Sequence, residues 1–387
     1  MLFSEKAAKS KGFPASGLGG LNISGRLPVH NCNYRVAAEK LTEEGVKWYY
    51  VQLGRSSAFS NKKSAVQNRE NPYKQAFRQG ATIVPRAFYF VELDMGFSGN
   101  WQDGFDWSDR LLNIRTSGAV LADAKKPWKD LEFKGRMWSS FIFRTALSKS
   151  ILPFALFRPD LVALPIMIHT DEDGRKAIKL YTADELRSMG YPDAARWFKN
   201  AENIWDIHRT EKNRNISLQN YLNWQGKLTS QNLNAKYLVL YNASAKDANA
   251  TVVNRADIDL EFIVESKGYV FFTDNPDEAH YLCAIINSNT PNLLIKDFQT
   301  KGLFGARDIH KRILDVYFPR FDASDARHLR LAQLGREAHV KVREYLAAIP
   351  ADQQITTSRL GRLRLEIKKH LAGELEEIDA VVKGVVG

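Results

Sequence analysis

Short runs of β-branched and aromatic residues alternate with helical stretches through the middle of this chain, and this alternation constrains its fold most strongly. The runs have the composition of strands, and the stretches between them carry apolar residues at helical spacing. The strand-like runs are Val46–Leu53, Gly118–Leu121, Phe154–Phe157, Leu161–His169, Ala177–Tyr181, Tyr237–Tyr241, Thr251–Val253, Phe262–Val264 and Tyr269–Thr273. The helical stretches are Tyr34–Leu41, Met137–Lys149, Ala183–Met189, Asp193–Phe198 and Glu278–Ile286. We therefore expect a mixed α/β fold of the α+β type, built from short strands and helices.

The apolar spacing changes after Pro319. Apolar residues from Leu331 to Ile349 recur at steps of three and four, which predicts an amphipathic helix. A second such stripe runs from Leu360 to Val385, after a break at Pro350 and a polar run. This pattern predicts an antiparallel, coiled-coil-like helical hairpin. The hairpin packs either on another helical pair or on the rest of this chain.

The first thirty or so residues are rich in glycine, serine and lysine, which favours a loop or tail. Gly17-Leu-Gly-Gly is a weak candidate for a phosphate-binding loop, because no strand precedes it and the third glycine is missing. The start has no apolar signal-peptide core, and prolines and charges interrupt the longest apolar run, Ile151 to Ile168. Cys32 and Cys283 lack disulfide or zinc-site spacing. We expect a cytoplasmic protein without a membrane span.

The chain is basic. It has 55 lysines and arginines against 44 aspartates and glutamates, which gives a net charge of +11 and a pI near 9.4. Such a surplus favours a polyanionic partner, because cations that neutralise phosphates release counterions. A basic surface that serves only solubility is the alternative.

Two clusters combine cations, amides and glycines. In the first, Arg78, Gln79 and Arg86 surround a glycine turn and Pro85, which divides two strand-like runs. In the second, glycines loosen the backbone among basic and amide side chains, which suit phosphates and base edges. Its members are Gln299, Lys301, Arg307, His310, Lys311 and Arg312. For both clusters the alternative is a surface loop with solvated or paired charges.

A third segment, Trp197 to Trp224, interleaves aromatic residues with basic ones and is flanked by Arg196 and Lys227. That pattern suits nucleic acid, although an amphipathic helix with a basic loop has the same composition. A restriction-type nuclease would need Asp160 and Asp173 at a metal, but Arg175 stands where such a site carries lysine. The histidines show no metal-ligand spacing. The residues therefore indicate binding more than catalysis.

The sequence from about residue 70 onward resembles N6-adenine DNA methyltransferases of restriction–modification and phage-defence systems. Gln79-Gly-Ala-Thr-Ile-Val-Pro-Arg resembles the entry to their target-recognition region, and Arg307-Asp-Ile-His-Lys lies in a second specific block. Further blocks follow in the family's order. They are Leu152-Pro-Phe with Ala163-Leu-Pro, Tyr237-Leu-Val-Leu-Tyr-Asn, Ala279-His-Tyr-Leu-Cys-Ala-Ile-Ile-Asn-Ser, Phe318-Pro-Arg-Phe-Asp and Arg362-Leu-Arg-Leu-Glu-Ile-Lys-Lys-His-Leu with Glu377-Ile-Asp.

The resemblance implies a module that recognises double-stranded DNA at a specific sequence. Residues 1–70 would then be an N-terminal tail with a lead-in strand and helix, 71–320 the DNA target-recognition domain, and 321–387 the helical hairpin. It implies DNA contacts from Arg78, Gln79, Arg86, Gln299, Lys301, Arg307, His310 and Lys311. The family's S-adenosylmethionine and Asn-Pro-Pro-Tyr motifs are missing, since Asn71-Pro-Tyr lacks the second proline.

The missing motifs leave methyl transfer to an associated catalytic part. That part would bind S-adenosylmethionine, and the C-terminal helices would dock on it as a methyltransferase domain or subunit. We expect no cofactor, metal or catalytic residue in this chain. Two alternatives remain open, a free-standing metal-dependent nuclease and a protein-binding scaffold whose basic charge is incidental.

Overall fold

The computed structural model describes residues 16–29, 31–61, 69–94, 105–302, 305–306, 309–350, 353 and 355–386. Helices and strands alternate along them, and helices close the chain. The predicted mixed α/β fold with C-terminal helices is therefore confirmed. Among the described residues no helix is long and apolar enough to cross a membrane.

A small antiparallel sheet opens the described part of the chain. Its elements are β1 (Leu18–Gly25), α1 (Tyr34–Lys40), β2 (Leu41–Leu53) and β3 (Ser56–Ser60), with β2 in the centre. The prediction of a loop or tail is wrong for β1, which pairs with β2 along its whole length from Leu18↔Trp48 to Gly25↔Leu41. Composition missed this strand because main-chain pairing, and not burial, holds it in place.

The second layer contains a five-stranded antiparallel sheet in the order β7-β6-β5-β11-β8. Helix α5 packs on β7, and both contribute to one buried core that includes Phe88, Met137 and Trp197. The elements in chain order are β4 (Arg78–Gln79), α2 (Arg86–Tyr89), β5 (Phe90–Leu93), β6 (Leu111–Thr116), α3 (Gly118–Asp123), β7 (Lys134–Trp138), β8 (Ile142–Thr145), β9 (Ile151–Leu152), β10 (Ala155–Leu156), β11 (Asp160–Ala163), β12 (Ile166–Thr170), β13 (Lys176–Leu180), α4 (Ala183–Ser188), α5 (Pro192–His208) and α6 (Leu218–Leu222).

Several local predictions in this layer are wrong. The predicted helix Met137–Lys149 is the end of β7 followed by β8, whose four residues are all buried. Only Ile142 and Phe143 of this strand are apolar, and Arg144 and Thr145 are buried by packing that the spacing of apolar residues does not show. The predicted strand Gly118–Leu121 is the short helix α3, and Pro165 divides the predicted strand Leu161–His169 in two.

A four-stranded antiparallel sheet in the order β15-β14-β16-β4 forms the third layer. Its edge strand β4 brings the Phe77–Arg86 segment against β16. The predicted strand Phe262–Val264 is not part of this sheet, because Phe262 forms only an isolated bridge to Arg144. The remaining elements of this region are β14 (Tyr237–Asn242), β15 (Ala250–Asn254), β16 (Gly268–Thr273), α7 (Pro276–Asn287), α8 (Asn289–Leu294), β17 (Lys301–Gly302) and β18 (Gly305–Ala306).

The C-terminal helices are α9 (Ala326–Ala347), α10 (Thr357–His370) and α11 (Ala372–Val386). The second helix of the predicted hairpin is thus divided at Leu371, which leaves the helical backbone region. Helix α9 crosses α7 closely at Gly335, where an added Cβ would lie 2.4 Å from the carbonyl oxygen of His280. The three helices share one hydrophobic core with the four-stranded sheet. The helices therefore pack on the rest of this chain, which is one of the two packing alternatives for the predicted hairpin. The predicted domain boundaries at residues 70 and 320 stay a prediction.

Candidate nucleic-acid interface

Strand β4 places the first predicted cluster at a sheet edge. Arg78 pairs with Val270 and Gln79 with Tyr269. Gly80 follows, and an added Cβ there would lie 2.4 Å from the carbonyl oxygen of Val264. Position 80 therefore requires glycine, because two main-chain segments touch there. This close contact explains the glycine of the motif in structural terms.

The side chains of β4 open onto a cleft with a volume of about 360 Å³. Among the described residues that line it there are three cations and four glutamines, and none is an aspartate or glutamate. The cations are Arg78, Lys227 and Lys311, and the glutamines are Gln75, Gln79, Gln225 and Gln231. We call this the glutamine cleft. Cations without facing carboxylates attract phosphate, while amides can donate to and accept from base edges.

Lys311 lies among other cations in the glutamine cleft. Partial burial lowers the pKa of its ammonium group, and the charges of Lys74 and Arg78 lower that pKa further. Its Nζ donates to the carbonyl oxygen of Lys74 at 3.0 Å, and Lys74 itself pairs with Asp315 at 2.5 Å. A bound anion would relieve the repulsion between these charges, so the arrangement favours an anionic ligand.

A tight turn forms the facing wall of the glutamine cleft. The side-chain oxygen of Asn223 accepts hydrogen bonds from the main-chain N–H groups of Leu228 and Thr229, each at 3.1 Å. Gln225 within the turn has a left-handed backbone with φ of 57°. Nζ of Lys227 donates to Oε1 of Gln79 at 3.1 Å and joins the turn to β4. The wall is thus fixed in position before any ligand binds.

A second depression of about 570 Å³ lies beyond the segment Val264–Gly268. Gln79 donates to the carbonyl oxygen of Ser266 on one side of that segment, whereas Lys267 lines the depression on the other. The lining cations are Arg86, Lys125, Lys126, Lys149, Arg209 and Lys267, and the lining carboxylate among the described residues is Asp123. We call this the basic depression.

Arg86 is held at the basic depression by a buried carboxylate. Its guanidinium lies 3.6 Å from Oε1 of Glu265, whose side chain is fully buried. Burial raises the pKa of that carboxyl, and Arg86 lowers it again. Nε of Arg86 is buried and has no hydrogen-bond partner among the described residues. Arg86 therefore combines an internal structural role with a partly exposed charge.

The structure brings some predicted site residues together and separates others. Arg78, Gln79 and Lys311 share the glutamine cleft, and the exposed His310 precedes Lys311 in a left-handed backbone conformation. Gln299 is only 4% exposed, and its amide bonds to Lys246 and Lys296, so its side chain points inward and not toward a ligand. The side chain of Lys301 and the whole of Arg307 lie outside the described residues, and their predicted role stays a prediction.

The aromatic residues of the third segment are mostly structural. Trp197 and Trp205 are buried, and their indole N–H groups donate to main-chain oxygens at 2.9 Å. Trp224 differs, since it is 43% exposed. In the sequence Lys227 only flanks this segment, and Gln225, Gln231 and Lys267 belong to none of the predicted clusters. No local signal marks them, because the fold brings them beside β4 from far along the chain.

The two aspartates of the nuclease alternative are both paired with cations. Asp160 is 2.9 Å from Nζ of Lys149, and burial raises the pKa of its carboxyl against the opposing charge of that lysine. Asp173 lies 3.8 Å from Arg175 on an exposed turn. Across the described part of the chain, no three histidine, cysteine, aspartate or glutamate side chains are placed to hold a metal ion. The geometry therefore gives the nuclease alternative no support.

Comparison with known proteins gives a likeness in structure. No protein-family model matches the chain, and no curated protein matches it. Among solved structures it is similar to the Type IIL restriction–modification enzyme MmeI in complex with DNA, at 11% sequence identity and a TM-score of 0.45. The likeness covers 84% of this chain and 34% of the MmeI chain, so this chain spans about a third of that enzyme's length.

Proposed function

We propose that this chain binds double-stranded DNA and recognises its sequence through the glutamine cleft and the basic depression. The proposal rests mainly on the composition of the glutamine cleft. Arg78, Lys227 and Lys311 lie there beside four glutamines, and no described aspartate or glutamate lines it. The cations would contact phosphates and set the register, whereas the amides of Gln75 and Gln225 would contact base edges. The amides of Gln79 and Gln231 are hydrogen-bonded within the chain and would hold the cleft in shape. The net charge of +11 supports the same partner.

Within this proposal the chain is the recognition part of an adenine-N6 DNA methyltransferase of a restriction–modification system. The support is the ordered sequence resemblance, whose Gln79-Gly-Ala-Thr-Ile-Val-Pro-Arg block forms the centre of the candidate site. The catalytic part would supply S-adenosylmethionine and the methyl transfer. Such an enzyme extrudes its target base at a cost of a few kcal/mol, which firm contacts to the duplex offset.

The proposed contact to that catalytic part is the outer surface of the C-terminal helices. Their inner faces are buried, but Leu329, Val340 and Leu365 remain 42%, 44% and 68% exposed. Exposed apolar side chains of this kind suit a partner surface. Size-exclusion chromatography with a methyltransferase subunit encoded beside this chain tests the contact. Co-elution of the two wild-type proteins that is lost with Leu365→Asp supports this contact. Separate elution of the two wild-type proteins refutes it.

Selection from a random-sequence duplex pool tests the proposed function. We expect enrichment of one sequence, and we expect the affinity to fall steeply as salt rises. Arg78→Ala, with Lys383→Ala on α11 as a control of equal charge change, separates the cleft from general charge. A pool without enrichment refutes sequence recognition, and binding that ignores salt refutes the phosphate contacts.

A further inference from the structure

Trp224 lies at the start of the tight turn that forms one wall of the glutamine cleft. The turn is held by its own hydrogen bonds, since the main-chain N–H of Gly226 donates to the carbonyl oxygen of Asn223 at 2.8 Å and the Asn223 amide donates to Thr229 at 3.1 Å. Lys227 then fastens the turn to Gln79. The indole is therefore carried by a rigid segment and not by a loose loop.

The indole of Trp224 is unusual among the tryptophans of its segment. It is 43% exposed, whereas Trp197 and Trp205 are 5% and 3% exposed. Trp205 is also stacked on Tyr221 with ring centroids 4.7 Å apart. Trp224 has no such ring partner in the described part of the chain. A large aromatic face is thus left open to solvent at a fixed place.

The neighbours of Trp224 suit a nucleotide. Gln225 follows it directly and lines the cleft together with Lys227, Arg78 and Lys311, whereas Trp224 is next to that lining in the chain and is not part of it. An aromatic face beside cations is the arrangement that stacks a base while the charges hold its phosphates. In a duplex such a side chain acts as a wedge, since it opens a base step and takes the place of the lost stacking.

We propose that Trp224 stacks on a nucleobase that leaves the helical stack of the bound duplex. This inference rests on the proposed DNA binding and adds a residue and a contact to it. Lys227 and Arg78 would hold the phosphates on either side, and the left-handed Gln225 would direct its amide to the neighbouring base edge. The ligand is the base of a duplex in this site, and free nucleotides are the comparison.

Fluorescence of 2-aminopurine tests the stacking, because this base brightens when an adjacent base leaves the helical stack, whereas a 2-aminopurine stacked on the indole itself stays quenched. The probe is a duplex of the most enriched sequence, or of mixed sequence if none is enriched, with 2-aminopurine scanned through its adenine positions. We expect the full chain to raise the fluorescence at one position severalfold. Trp224→Ala should abolish the rise and weaken binding roughly tenfold, whereas Trp224→Phe should retain both in part. Met189→Ala serves as a control with similar apolar exposure, 46% against 43% for Trp224.

Anisotropy of the same labelled duplex separates this inference from the function on which it rests. If the duplex binds but its fluorescence rises nowhere, or rises equally in Trp224→Ala, the stacking contact is refuted and DNA binding stands. If the duplex does not bind, both proposals fall. Equal binding of a free adenine nucleotide by the chain and by Trp224→Ala would also refute a base contact at this residue.

Discussion

Nζ of Lys227 lies 3.1 Å from Oε1 of Gln79, a residue 148 positions earlier in the chain. This hydrogen bond joins the glycine motif of β4 to the turn that carries Trp224 and Gln225. Gln79 also donates to the carbonyl oxygen of Ser266 at 3.0 Å. A single amide therefore holds together the glutamine cleft and the segment that separates it from the basic depression.

The Lys227–Gln79 hydrogen bond can be measured by a double-mutant cycle. Gln79→Ala and Lys227→Ala should each lower the free energy of unfolding, and together they should cost less than their sum by about 1 kcal/mol. Urea unfolding of the four proteins gives this coupling energy. Gln79→Ala with Lys383→Ala should be additive, and additivity in the first pair would show that the bond contributes nothing.

Gly80 should not accept a side chain. A Cβ would lie 2.4 Å from the carbonyl oxygen of Val264 and 2.5 Å from that of Glu265, so Gly80→Ala must displace main chain. We expect a loss of about 1–3 kcal/mol in the free energy of unfolding. Gly118→Ala is the matched control, since no atom of the described residues lies within 4 Å of a Cβ there. Equal effects of the two substitutions in urea unfolding would contradict the close approach.

Asp259 should stabilise the folded protein, because its carboxylate pairs with the guanidinium of Arg144, which is only 6% exposed. The guanidinium donates to both carboxylate oxygens, at 2.9 and 2.7 Å. Asp259→Ala leaves this arginine without its counter-charge and should cost about 3–5 kcal/mol of stability. Asp173→Ala removes an exposed pair and should change stability by less than about 0.5 kcal/mol. Thermal and urea unfolding compare them, and a small effect of Asp259→Ala would show that water reaches Arg144.

His280 and His339 should make the protein less stable in weak acid. Burial lowers the pKa of His280 to about 3 and that of His339 to about 4, below the ordinary value of 6.5. The neutral rings favour folding fully above pH 6.5, and this contribution is lost as pH falls toward the lowered pKa values. Between pH 7 and pH 5 we expect a loss of about 2 kcal/mol for each histidine.

Urea unfolding of the wild type and His339→Gln at both pH values checks this expectation. The variant should lose about 2 kcal/mol of the pH dependence between pH 7 and pH 5 and keep the rest, because His280 and His328, whose pKa burial also lowers, still titrate. An unchanged dependence would show that His339 is not buried as a neutral ring.

The sequence predicted the parts of the fold that local spacing determines. The stripe from Leu331 to Ile349 became α9, and Tyr237–Tyr241 and Tyr269–Thr273 became strands of the four-stranded sheet. It did not predict β8, because two of its four buried residues, Arg144 and Thr145, are polar and the strand shows no apolar alternation. Nor did it predict β1, whose exposed apolar side chains pack little.

The candidate site divides in the same way. Arg78 and Gln79 could be found because a glycine and a proline mark their turn, and a glycine is needed there for close backbone approach. Lys227 could not be placed beside them, because hydrogen bonds between residues far apart in the chain, from Gln231 to Val264 and from Lys227 to Gln79, set that distance. Gln299 has an amide that suits a base edge, but its side chain is buried in the interior. The sequence did not show this, because burial depends on packing and not on spacing along the chain.

The salt dependence of duplex binding tests the central claim most directly. The logarithm of the binding constant should fall linearly with the logarithm of salt concentration, and Lys311→Gln and Arg78→Gln should each make that slope shallower by about one unit. Lys383→Gln, with the same loss of charge on α11, should leave it unchanged. A slope that is equal in all four proteins, or absent in the wild type, would contradict a phosphate contact at the glutamine cleft.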